Sequence, residues 1–176
     1  RSTPKPSSAA SDVYKRQLWM DQDFEKALTL SQRLVDRIPK SIYNQHLYTE
    51  SLIRLNKLDE AEANLRLTNE MAERLPSLSK KGWLPTLKYH DALLSFYKGD
   101  TDRAMEMVTQ SIDEFNAELD TPLGFGYLLR GNIHDLRGNR SLAVGDYRSA
   151  VRLDNYSAAM TKARGYLRRP FEPRVD

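Results

Sequence analysis

The sequence predicts an all-α fold of antiparallel helix hairpins placed in series, and three observations predict it. Apolar and small residues recur at steps of three and four, as in Leu58, Ala61, Leu65, Thr68 and Ala72, which puts one stripe on one helix face. An alanine returns in register: Ala27 and Ala61 are 34 residues apart, Ala61 and Ala104 are 43, and Ala104 and Ala143 are 39. No segment alternates with period two for long enough to suggest a sheet.

Residues 1–17 stand apart from this pattern. Ser7-Ser8-Ala9-Ala10-Ser11-Asp12-Val13-Tyr14-Lys15-Arg16-Gln17 resembles the translation of a transposase sequencing adapter, and Arg1-Ser2-Thr3 matches an earlier stretch of it in the same frame. A foreign scar is excluded from fold reasoning, so the natural chain is read from Leu18, starting midway through a helix. The tail supplies Arg1, Lys5, Lys15 and Arg16 against Asp12. Without them, the 27 basic and 24 acidic residues become 23 of each. The basic balance of the whole chain is then no reason to expect nucleic acid or an anionic membrane as partner. Lys162, Arg164, Arg168, Arg169 and Arg174 read as a solvated helix face and tail. The absence of cysteine excludes disulfides, thiolate metal sites and thiol nucleophiles. No apolar run approaches the roughly 20 residues that span a bilayer, so no membrane insertion is expected.

The repeat domain is read over 18–167. A partial unit, 18–41, keeps only Leu18, Trp19 and Met20 of its first helix. Gln22, Phe24, Ala27, Ser31 and Leu34 mark the second, which Pro39 closes. With part of its partner missing, helix 24–38 is expected to fray or to expose an apolar face. Unit 42–75 carries Thr49, Asn56, Ala61, Leu65 and Thr68, and unit 85–118 carries Ala92, Gly99, Ala104, Val108 and Ser111. The clearest unit is 124–156, with Tyr127, Gly131, Gly138, Ala143, Tyr147 and Ala150. Gly99 and Gly138, and Asn56 less readily, end the first helix of each hairpin because they tolerate φ > 0. The alanines in register let two helices approach to about 8–10 Å. Residues in excess of 34 fall around Pro76–Gly82 and Asn116–Pro122, read as junctions between units. Ser157 is expected to cap a last helix, 157–167, whose Ala159, Ala163, Tyr166 and Leu167 cover the end of the last unit. Pro170 and the tail 168–176 follow, and the true C-terminus is expected to be present.

A small residue, a turn glycine, then small, aromatic and small residues along the next helix: this order resembles the tetratricopeptide repeat (TPR) family. Asn155 departs from it, standing where the family has proline. The resemblance implies a right-handed solenoid with a C-terminal capping helix and a concave face that binds ligands through the first helix of each hairpin. Carried over residue by residue, the wall positions are Tyr43, His46, Glu50 and Ile53; Thr86, Tyr89, Leu93 and Phe96; and Phe125, Leu128, Asn132 and Asp135. For Tyr89, Phe96 and Phe125, ordinary packing between repeats is the competing reading, because wall and core positions are neighbours on a helix. The carboxylate clamp of some relatives finds only Asn132 here, and Leu128 stands where that clamp needs lysine.

Catalytic chemistry finds no constellation in the sequence. His46, His90 and His134 fall at different places in their units and need not converge. Asp59-Glu60 and Asp113-Glu114 read as solvated faces. Gly124-Phe125-Gly126 lacks the strand and spacing of a phosphate loop, and no serine has a base at a recognisable spacing. No enzyme activity, metal or cofactor is therefore expected. The sequence predicts a scaffold that binds a peptide or helix of a protein partner. The alternative is an accessory arm of a larger enzyme or regulator whose N-terminal domain is missing. A weaker third reading is self-association through the truncated N-terminal end.

Overall fold

The structure, a computed structural model, describes residues 23–115, 120–153 and 158–173. Among them lie eight helices and no strand. In chain order these are α1 (Phe24–Arg37), α2 (Ile42–Arg54), α3 (Leu58–Glu73), α4 (Ser77–Tyr97), α5 (Thr101–Glu114), α6 (Asp120–Leu136), α7 (Arg140–Arg152) and α8 (Ala158–Arg168). The adapter-like residues, Leu18 to Met20, Gln22, Asn155 and Ser157 lie outside the described residues, as do Asn116 to Leu119 and Arg174.

Each helix packs on the next, and α2 also touches α4, α4 touches α6, and α6 touches α8. The odd-numbered helices do not touch one another among the described residues. Two layers result: a continuous even layer, and odd helices of which α3, α5 and α7 each bridge two even neighbours. Small residues set this spacing. Ala27, Ala61, Ala104 and Ala143 are all buried, the last three completely. Across from them, Thr49 and Ala92 are also fully buried. At Gly131 a Cβ would fall 2.5 Å from the Tyr147 ring, so only glycine fits there.

The tight turns are in phase. Asn56, Gly99 and Gly138 have φ of 58°, 84° and 74°, and each ends an even helix. At all three the chain closes the helix end the same way. The Asn56 and Lys57 amides donate to Ile53 and Leu52 carbonyls, those of Gly99 and Asp100 to Phe96 and Ser95, and those of Gly138 and Asn139 to Asp135 and His134. These paired bonds satisfy carbonyls that the helix end would otherwise orphan. Asp100 then caps α5 through the Arg103 amide, so turn and cap occupy two residues.

Two boundaries differ from the sequence reading: α6 begins at Asp120, inside the stretch Asn116–Pro122 read as a junction and ahead of the unit expected from residue 124, and α4 also begins early. The residues around Pro76–Gly82 do not form a junction. α4 begins at Ser77, and the unit expected from residue 85 gains about two turns of helix before Pro85. Proline lacks the amide that would bond four residues back, yet the helix continues through it. Ser111 donates to the Pro85 carbonyl at 2.7 Å, which ties that point to α5. The early turns project from the packed layers: Leu78 is 85% exposed, and a Cβ on Gly82 would meet nothing within 4 Å.

α8 behaves as a cover, with Ala159 and Ala163 fully buried against Leu128, Ala143, Tyr147 and Ala150. At the other end, α1 packs on α2 alone among the described residues and buries Ala27 and Ser31.

Candidate functional site

The wall positions gather where the even helices meet, but most of them are inside. Glu50, Ile53, Thr86, Tyr89, Leu93 and Leu128 are buried. That burial removes them from any surface a partner touches without displacing protein. Tyr43 is 41% exposed, and His46, Phe96, Phe125 and Asn132 are partly exposed. Two constellations organise these residues.

The first joins α2 to α4. Arg54 donates to the Glu50 carboxylate at 3.2 Å and to the Tyr89 hydroxyl at 2.9 Å. Its guanidinium also lies over the rings of Phe24 and Phe125, at 5.8 and 5.9 Å. The second Glu50 oxygen is 3.4 Å from His90 Nε2. The His90 and His46 rings stack, 5.6 Å apart, and His46 in turn contacts Tyr43 and Trp83. Two of the three histidines therefore meet, although their different places in the units did not require it. Counted back from the in-register alanines, His46 stands 15 residues before Ala61 and His90 stands 14 before Ala104. That near-equivalence was the available signal; adjacent even helices bring near-equivalent positions together. His134, nine residues before Ala143, lies elsewhere, 3.9 Å from Asp146.

The electrostatics of this cluster follow from its burial. Burial opposes the charge on Glu50, but the His90 hydrogen bond and the Arg54 guanidinium outweigh it and hold the carboxyl below its ordinary value. Burial, with His90 alongside, pushes His46 down to about 3 against the pull of Glu50, so His46 is neutral near pH 7. Burial raises the Tyr89 phenol despite Arg54. The result is an ionised Glu50–Arg54 pair on α2 that reaches Tyr89 and His90 of α4 and so ties the two helices together. Among the described residues no three His, Cys, Asp or Glu side chains are grouped to hold a metal ion.

The second constellation centres on Asp135, whose side chain is only 1% exposed. Its carboxylate accepts from the Tyr147 hydroxyl at 2.8 Å and from Arg140 at 3.0 Å. It also accepts from the backbone amide of Phe171 at 2.7 Å. Asn132 shares the Tyr147 hydroxyl at 3.1 Å. Burial, then the bond to Asp135, raises the Tyr147 phenol, which stays a donor. Arg140 turns its other nitrogen to the α8 carbonyls of Tyr166 and Leu167, supplying a charged cap where the helix would leave orphan acceptors. The Phe171 ring sits 6.2 Å from Phe96 and 5.5 Å from Tyr166. Two wall positions on different helices, Phe96 of α4 and Asp135 of α6, thus hold one residue of the segment that follows α8. Sequence reasoning missed Arg54, Arg140 and Phe171; nothing local in the residues around Phe171 announces a docking site across the layers.

No protein-family model matches the chain, and no curated protein matches it.

Proposed function

We propose that the chain is a protein-interaction scaffold of the tetratricopeptide kind, a right-handed solenoid that holds an extended peptide on the concave face formed by its even helices. One observation carries the reading: the wall positions Phe96 and Asp135 together grip the ring and backbone amide of Phe171. A buried carboxylate that accepts from a main-chain amide, beside an aromatic slot, recognises peptide without regard to most side chains, and aromatic anchors in such slots commonly dominate recognition energy. The buried wall residues support the face from behind: the Glu50–Arg54–Tyr89 cluster fixes α2 against α4. Surface for a partner comes from Tyr43, Phe96, Phe125 and Asn132.

Selection from a random dodecapeptide display library tests the proposal. Enriched peptides should bind the purified chain saturably and lose affinity when Phe125 and Asn132 are changed to alanine. Failure to enrich any sequence, or binding indifferent to both substitutions in a folded variant, would reject it.

A further inference from the structure

We propose that the segment Arg169–Glu172 is a ligand held in cis, a latch on the even layer, and that the site it occupies takes peptides in which an aromatic residue follows a proline. The inference rests on the scaffold reading and adds its regulation and its ligand chemistry.

The segment is shaped by its own sequence. α8 ends at Arg168. Pro170 cannot extend the helix, and it pushes Arg169 out of the helical region. The chain therefore leaves the helix at a bend at Arg169 and brings Phe171 back to α6. Proline also withholds an amide at that step, so the next donor, the Phe171 N–H, meets Asp135. Phe171 is the one partly buried residue between Arg168 and Pro173; its neighbours on both sides are exposed. Among the described residues the attachment is made by the Phe171 ring and its amide.

The receiving site does not depend on the latch for its own integrity. With Phe171 gone, Asp135 keeps the Tyr147 hydroxyl and Arg140. Arg140 keeps the α8 carbonyls, and the Tyr147 and Tyr166 rings remain 5.5 Å apart. What opens is one acceptor position on a buried carboxylate and a slot between Phe96 and Tyr166. Another backbone amide with an aromatic side chain fills both. A short tether gives the cis segment a high effective concentration, and a site closed nine-tenths of the time binds an added ligand roughly ten-fold more weakly than an open one.

The probe is a fluorescein-labelled peptide, Arg-Arg-Pro-Phe-Glu-Pro, copying residues 168–173, followed by fluorescence anisotropy. A chain ending at Arg169 should bind it saturably and roughly ten-fold more tightly than the full chain. The same peptide with alanine for phenylalanine should not bind. In the full chain, Phe171→Ala loosens the latch without shortening the protein, and the probe should then bind several-fold more tightly. Equal binding to all three proteins, or none by a folded shortened chain, overturns the inference. If the shortened chain fails to fold, Phe171→Ala decides alone. A full chain that dimerises, and that the peptide returns to monomer, puts the segment on a second copy and overturns the cis assignment. Display-selected dodecapeptides separate the two claims. If they bind and the tail peptide does not, the scaffold stands and the latch falls; if neither binds, both fall.

Discussion

Replacing Gly131 with alanine tests the hairpin packing at its tightest point. The added Cβ would lie 2.5 Å from Tyr147 Cε1 and 2.8 Å from Cδ1, inside any real contact distance. Tyr147 cannot swing away cheaply. It is fully buried, its hydroxyl is bonded to Asp135 and Asn132, and its ring is packed on Tyr166 at 5.5 Å. Overpacking of this kind costs about 2 kcal/mol. Displacing the ring far enough to lose the bond to Asp135 adds about 1.5 kcal/mol. Helix propensity works the other way, since alanine is favoured over glycine in a helix interior by about 1 kcal/mol. The net is about 2.5 kcal/mol of destabilisation, or roughly 5–10 °C in Tm for a domain of this size. Thermal unfolding followed by circular dichroism at 222 nm reads it. A Tm that is unchanged, or raised by the propensity gain, would refute the close contact between α6 and α7.

Other outcomes follow from the same structure. Ala143→Leu should destabilise by about 1–3 kcal/mol, because Ala143 is fully buried between helices; a urea titration measures it. Gly138→Ala should cost about 1–2 kcal/mol through the backbone alone, as φ is 74° and a Cβ would meet nothing within 4 Å. Arg54→Met should cost about 3–5 kcal/mol by leaving the buried Glu50 carboxylate without its charged partner. Stability should also depend on pH through His46, whose folded pKa of about 3 lies below its ordinary 6.5. A depressed pKa means the unfolded chain binds the extra proton, so the contribution is present above about 6.5 and lost as pH falls towards 3, at about 1.4 kcal/mol per pH unit. Denaturant titrations at pH 7, 6, 5 and 4 should show that slope, and His46→Leu should flatten it by one proton's worth.

The features that sequence made legible are those set by single residues. Asn56, Gly99 and Gly138 have the positive φ that their types and spacing predicted. The alanines at 27, 61, 104 and 143 are buried, as a close helix approach requires, and α8 lays Ala159 and Ala163 on the last hairpin. What sequence could not supply was set by distance across the fold. Helix α4 runs eight residues ahead of the expected start because Pro85 is tolerated within it, and local rules read proline as a boundary. The wall residues Glu50, Tyr89, Leu93 and Leu128 turned inward because even helices pack directly on one another; a helix face alone does not say how near its neighbour comes. Likewise the docking of Phe171 on Asp135 joins residues 36 positions apart, a contact no periodicity encodes.

The most direct test of a peptide-holding even layer uses the absence of native cysteine. Glu172→Cys, at an exposed position, carries one nitroxide label, and amide signals are followed by NMR. Broadening at residues around Phe96 and Asp135, relieved when a display-selected peptide is added, is the predicted result. Broadening confined to α8, unchanged by peptide, would contradict the account.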